Sequence, residues 1–481
     1  MSMEMMVVLP FERGSLLPIM NLCRQLTSRN SKLGIVIVSN LSSLVPDSLS
    51  HNPLVRIAEI PSPEPRDHQN PLAIELEKIL STPKGRPVCA IIHVTMVWTA
   101  KIFHKFKVPT IAFLDSSACS AAMDLAIWRT HPLGLEPVEV HFSPGLPEET
   151  ALTYKERPQV PAGDPLPQHL WAGHPGQGSG FPTTPPALGP SPDSGFPTSQ
   201  PGLPPSWGRH GRGGPPPPWV EQVEGSIAAM FNTCADLERP FLEDIANRTG
   251  KPAWGVGPFL LEQYWKQANV TEDEVSLWLD SKPRGSVLYV SFGSDGGPST
   301  DEYVQLADAL EASNRSFIWT IQPGTGERGQ PGPSTGPTAE GYFPHGLDSK
   351  VGPRGLIIHG WAPQLFILSH PSTGGFLSHC GWNSIVEAIG RGVPFLAWPD
   401  EHHHANANLV VAHLKVGHMI SDDLSEMIMQ EDIVNGIEKL LGDEEMKQRA
   451  TALARTFRNG FPASASATLD AFTNSIHKKV V

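Results

Sequence analysis

From Trp361 to Pro399 the chain reads WAPQLFILSHPSTGGFLSHCGWNSIVEAIGRGVPFLAWP. Within it, the segment His379 to Ser384 leaves an apolar run, turns at Gly381 and is expected to enter a helix at about Asn383–Ser384. The first turn of a helix has N–H groups with no partner and carries the positive end of the dipole, so it suits an anion. His379, Asn383 and Ser384 add side-chain donors, and the set fits a diphosphate. Taken singly, Trp361 reads as a core aromatic, Ser384 as an N-cap and Glu387 as a solvated helix charge. Their joint spacing turns these residues into a site, while Cys380 remains a small buried residue. Just beyond lies WPDEHHHANAN, with His402, His403 and His404 in a row. Consecutive side chains suit a single metal ion poorly, so contact with a ligand is the preferred reading over a metal site or three exposed loop histidines.

These residues need elements to hold them. Short apolar runs at Met5–Leu9, Gly34–Ser39, Cys89–Ile92 and Thr110–Leu114 alternate with helix-length stretches around 16–28 and 98–107. The alternation resumes at Ser226–Phe231 and Ser286–Ser291. It continues through a helix at Thr300–Ala312, runs at 317–320, 356–359, 375–377 and 395–398, and helices to the end. β-branched runs separated by helices imply parallel sheets buried on both faces. The expected architecture is α/β with two doubly wound halves, whose ligands bind in the crevice at the carboxyl ends of the strands. Residues 159–218 are dominated by Gly, Pro, Ser and His and read as a disordered surface insertion.

A length of 481 residues fits two domains, and 40% apolar content suffices for two cores. A net charge of −13 argues against a nucleic-acid or anionic-membrane partner, and no run approaches the roughly 20 apolar residues of a membrane span. The five cysteines are scattered without CxxC spacing and read as reduced thiols, and the N-terminus lacks the form of a signal peptide. A cytoplasmic monomer is expected.

The stretch Trp361–Pro399, with Trp-Ala-Pro-Gln, His-Cys-Gly-Trp-Asn-Ser, Glu and Gly-Val-Pro, resembles the signature box of plant UDP-dependent glycosyltransferases. Upstream SVLYVSFGS and C-terminal SASATLDAFTNSI look like the same family. The resemblance implies the GT-B fold, with an acceptor domain over 1–255, a donor domain over 256–465 and a last helix, 466–481, returning to the first domain. It implies that Trp361 stacks on uracil, the Ala362 backbone pairs with the uracil edge, and Gln364 and Glu387 hold the ribose. Ser294, His379, Trp382, Asn383 and Ser384 then line the diphosphate. The implied reaction is inverting transfer of a hexose, glucose by family habit, from its UDP-sugar to a flavonoid or simpler phenol. UDP-sugar is a co-substrate, and no resident cofactor is expected. The sequence has no Asp-x-Asp, so the helix terminus and His379 are expected to meet the leaving-group charge without metal.

Two places depart from the family pattern. Where the family has the His that acts as base, LPFERGSLLPIM puts Ser15, and where it has the supporting Asp the chain has His93. Imidazole titrates near neutrality, so His93, directly or through Ser15, is one candidate base, and Asp115 after TIAFL is a second. The family's acid and Gln that hold sugar hydroxyls become His403 and His404 counted forward from Trp398, or His402 and His403 counted back from Asn406. A His in the Gln place goes with galactose in the family, and Asp400 or Glu401 is placed to supply the missing carboxylate. A UDP-sugar-binding protein without activity and a histidine-rich metal binder are the alternatives from other classes.

Overall fold

The computed structural model describes residues 4–11, 13–61, 70–82, 86–130, 140–141, 146–147, 152–153, 216–259, 270–293, 297–322, 344, 346–400, 402–421, 423–424, 426–458 and 460–478. Ser294, Glu401 and nearly all of the Pro/Gly-rich insertion lie outside them.

The first sheet contains β1 (Glu4–Val8), β2 (Lys32–Val38), β3 (Val55–Ile60), β4 (Ala90–His93), β5 (Thr110–Leu114), β8 (Ala228–Phe231) and β9 (Ala253–Gly255). Its order is β3-β2-β1-β4-β5-β8-β9, parallel throughout. A two-residue antiparallel pair, β6 (Val140–His141) and β7 (Leu152–Thr153), stands apart. The second sheet is built from β10 (Val287–Ser291), β11 (Ser316–Ile321), β12 (Gly355–His359), β13 (Thr373–Ser378), β14 (Phe395–Ala397) and β15 (Gly417–Met419). Its order is β12-β11-β10-β13-β14-β15, again parallel. Strands such as TIAFL, AAMF and VLYVS are buried along their whole length, as a sheet covered on both faces requires. This is the expected α/β doubly wound architecture.

Each sheet runs from its first strand to one edge and then returns beside that strand. The switch points are therefore β1/β4 in the first sheet and β10/β13 in the second. Crevices at the carboxyl ends of such strands are where open α/β sheets take their ligands.

Six helices matter for the site: α1 (Arg13–Thr27), α2 (Ala118–Thr130), α3 (Ala235–Thr249), α4 (Gln364–Ser369), α5 (Trp382–Arg391) and α6 (Ala463–Lys478). The helix anticipated over Thr300–Ala312 has those bounds because Ser299 and Glu302 form a reciprocal capping box at its start. Strands β3 and β15 were not anticipated. The alternating, half-exposed VRIAEI of β3 lies at the sheet edge, and GHM of β15 is three residues long. Helix α6 returns to the first domain, where Arg29 Nε donates to Asp470 Oδ1 at 2.7 Å and Phe472 lies 5.6 Å from Trp254.

Candidate active site

Three candidate residues spread from position 15 to position 115 meet at the first switch point. His93 ends β4, Asp115 follows β5, and Ser15 lies in the first turn of α1 after β1. The Ser15 hydroxyl donates to the Asp115 carboxylate. His93 Nε2 is 3.2 Å from Asp115 Oδ1, a close contact without the alignment of a good hydrogen bond. On the other side of the ring, the Thr95 backbone N–H points at Nδ1 from 3.3 Å and the Thr95 hydroxyl sits at 2.9 Å. A backbone N–H can only donate, so Nδ1 accepts and the neutral ring carries its proton on Nε2, toward Asp115.

This geometry separates the two candidate bases. His93 is 0% exposed, its Nδ1 is occupied and its Nε2 faces a carboxylate. The Asp115 side chain keeps 24% exposure. Burial works against ionising Asp115, but the close contacts with His93 and Ser15 outweigh it and hold the carboxyl below its ordinary value. Direct proton abstraction by His93 does not suit this arrangement, and neither does a relay through Ser15, which contacts the carboxylate. Asp115 is the most exposed of the three, with His93 and Ser15 packed against its carboxylate.

The second cluster sits at the other switch point. After β13 the chain turns through Cys380, whose φ is +65°, and α5 starts at Trp382, earlier than the sequence suggested. The left-handed residue is thus Cys380 rather than Gly381. Gly381 answers a different need: a Cβ there would lie 2.4 Å from His379 Nε2, and one on Gly293 would lie 2.8 Å from the same ring. Two glycines make room for the His379 imidazole at the strand end. Asn383 is exposed and Ser384 half-buried in the first turn of α5. Trp382 is used otherwise: its indole Nε1 donates to Asn232 O of the first domain at 2.9 Å. Its backbone N–H remains in the first turn of α5.

Gln364, first residue of α4, ties the nucleoside end together. Its Nε2 donates to Glu387 Oε2 at 2.8 Å and lies 3.4 Å from Ser384 Oγ, while its Oε1 accepts from Tyr289 OH at 3.1 Å. Glu387 is 1% exposed, so it is a buried carboxylate on an amide and not a solvated helix charge. Trp361 and Ala362 lie in the loop between β12 and α4, Trp361 half-buried and Ala362 buried. Tyr289, on β10, escaped the sequence reading because a tyrosine in an apolar strand looks like core.

The histidine run lies beside His379. Asp400 Oδ1 accepts from the His402 backbone N–H at 2.9 Å and His403 Nδ1 at 2.7 Å. The His403 and His379 rings meet edge to face, with centroids 5.0 Å apart. His404 opens a short helix, His404–Asn408. Among the described residues no group of three His, Cys, Asp or Glu side chains is arranged to hold a metal ion.

Residues missed in the sequence join the clusters. Ser117 Oγ donates to Asn406 Oδ1 at 2.6 Å, and Asn406 Nδ2 donates to Cys380 O at 3.1 Å. The chain of contacts therefore runs from two residues past Asp115 to the residue after His379. Ser117 and Asn406 are 289 positions apart, so no local signal marks them.

Comparisons with known proteins agree with this geometry. Residues 262–460 match the family model described as UDP-glucuronosyl and UDP-glucosyl transferase. The chain is 35% identical over 245 residues to UDP-glycosyltransferase 73E1 of Stevia rebaudiana, a match spanning 47% of each, about half the length of that relative. It is 29% identical over 415 residues to UDP-glycosyltransferase 73C7 of Arabidopsis thaliana, covering 81% of this chain and 74% of the relative. Among solved structures, Phytolacca americana UGT2 complexed with UDP-2fluoro-glucose and pterostilbene superimposes with a TM-score of 0.71 at 21% identity over 99% of both chains. Medicago truncatula UGT71G1 complexed with UDP-glucose gives 0.68 at 19% identity, covering 99% of this chain and 98% of that one. The fold is GT-B. Among the described residues no helix is long and apolar enough to cross a membrane.

Proposed function

We propose that the chain is a UDP-glycosyltransferase, which its likeness to that family supports, and that it transfers a hexose from a UDP-sugar, with glucose first in line, to a hydroxyl of a flavonoid or other small phenol. The observation that carries the reading is the hydrogen-bonded bridge Ser117–Asn406–Cys380. It links the loop that bears Asp115 to the strand end that bears His379, and this supports reading the two clusters as a base and a diphosphate site that share one crevice.

In this reading Trp361 and Ala362 receive the uracil, and Gln364 and Glu387 the ribose. His379 and the first turn of α5, with Asn383 and Ser384, take the diphosphate. The acceptor oxygen lies against Asp115, which draws its proton as the oxygen attacks the anomeric carbon. The electron pair of the breaking C–O bond passes to the β-phosphate oxygen, and attack from the opposite face inverts the centre. The donors around His379 meet the charge as it develops, without metal. Holding both substrates in one crevice supplies much of the acceleration by orientation.

The test is incubation of purified protein with UDP-glucose or UDP-galactose and a panel of phenols in EDTA, read by product mass. A hexose adduct is expected. UDP binding with no adduct from either sugar would replace this reading with that of a binding protein.

A further inference from the structure

Two imidazoles packed edge to face invite the question of what they face together. His379 is held at the end of β13 by the space that Gly293 and Gly381 leave for its ring. His403 is held on its other side by Asp400, through a 2.7 Å contact from Nδ1. The Asp400 carboxylate also accepts the His402 backbone N–H, so its position does not depend on the histidine alone. A carboxylate on Nδ1 fixes the orientation of an imidazole and stabilises the imidazolium when it forms.

We propose that His403, oriented by Asp400, is a second imidazole of the diphosphate site, and that it acts with His379 to hold the nucleoside diphosphate by charge. The inference rests on the donor-site reading above and reassigns His403 from the sugar to the phosphates. A protein with a net charge of −13 gains no help from its overall field in binding an anion, so local cations must do it. Among the described residues, groups packed against the His403 ring include His379 from the end of β13 and Asp400 from its own loop, with His402 and His404 beside it in sequence. Burial opposes the ionisation of Asp400, but the hydrogen bond and charge of His403, the His402 N–H and the His379 charge together hold its carboxyl far below the ordinary range. Asp400 is thus held as an anion beside the two rings. Uridine carries no phosphate and reports on the Trp361–Glu387 end alone.

The experiment measures UDP and uridine affinity calorimetrically from pH 5.5 to 8.5 for the wild type and for His403→Gln, which keeps a polar group without the charge. UDP itself titrates in this range, so the difference between the two proteins is the quantity read. At the acid end His403→Gln is expected to weaken UDP about tenfold, the worth of one charge-assisted contact, and at pH 8.5 less than about twofold. Uridine affinity stays unchanged in both. Asp400→Asn, with the ring intact, shifts the pH dependence of UDP binding to lower pH. A His403→Gln protein that follows the wild type for UDP at every pH, or that loses UDP and uridine alike, overturns the proposal. A wild-type protein that binds neither ligand overturns the donor-site reading itself.

Discussion

Asp115→Asn is the substitution with the clearest consequence. It is nearly isosteric, so an amide oxygen remains for the Ser15 hydroxyl, but the group can no longer take a proton. An ordinary carboxyl lies about 6 pH units below an ordinary phenol, so complete transfer before bond formation is uphill by about 8 kcal/mol. The Ser15 and His93 contacts, which hold the Asp115 carboxyl lower still, widen that gap. The base therefore acts while the new bond forms, and its worth depends on how acidic the acceptor is. General-base contributions run from about 100-fold to 10,000-fold. For a weakly acidic hydroxyl, Asp115→Asn is expected to lower kcat by about 1000-fold. For a nitrophenol with a pKa near ~7, already partly ionised, the loss shrinks to about tenfold. The assay is initial-rate glycosylation of a graded phenol series, with UDP affinity measured on the same preparations and expected to stay within about twofold. A variant that keeps more than half of wild-type kcat on the least acidic acceptor, or a loss that is uniform along the series, would refute the assignment of the base.

Three further outcomes follow from the same structure. Ser15→Ala removes a donor that holds the Asp115 carboxyl low, so the acid limb of the kcat/KM profile moves to higher pH while the rate at neutral pH changes little. Glu387→Gln replaces the buried carboxylate that accepts from Gln364, and UDP and uridine should both weaken by about tenfold or more, which competition binding measures. Glu238, 0% exposed, is pushed up to about 7 by burial, against the hydrogen bonds it accepts from the Cys119 and Ala118 N–H groups at the start of α2. Its folded value is raised, so its contribution to stability is complete below its ordinary value of 4.5 and is lost as pH rises through about 7. A shift of 7 minus 4.5 corresponds to ~3 kcal/mol. Glu238→Gln should abolish that part of the slope in melting temperature between pH 4.5 and 8.5, whatever it does to stability at a single pH.

Much of this protein is written locally. Runs such as TIAFL and VLYVS are buried on both faces and could only be inner strands of covered sheets. The spacing from Trp361 to Glu387 put a nucleotide-shaped set of donors on one loop and one helix, and the structure gathers Gln364, Ser384 and Glu387 within hydrogen-bonding reach. Those pairs lie 20 and 23 residues apart, joined by a single strand and two turns, so sequence spacing nearly amounts to spatial spacing. Edge strands were harder to read, because VRIAEI has one half-exposed face and lacks an unbroken apolar run.

What the tertiary structure decided is the division of labour where residues arrive from different strands. Sequence offered His93, directly or through Ser15, and Asp115 as alternatives for one role. Parallel pairing of β4 with β5 seals His93 behind Asp115 and leaves the carboxylate at the crevice. Sequence offered His403 with either His404 or His402, and only the fold sets His403 between Asp400 and His379. Trp382, part of a phosphate motif by spacing, spends its indole N–H on Asn232 of the other domain. Residue type and local spacing determine what chemistry a chain can attempt. Burial and the partner on the far side of each ring determine which residue performs it, and those partners come from strands that only folding brings together.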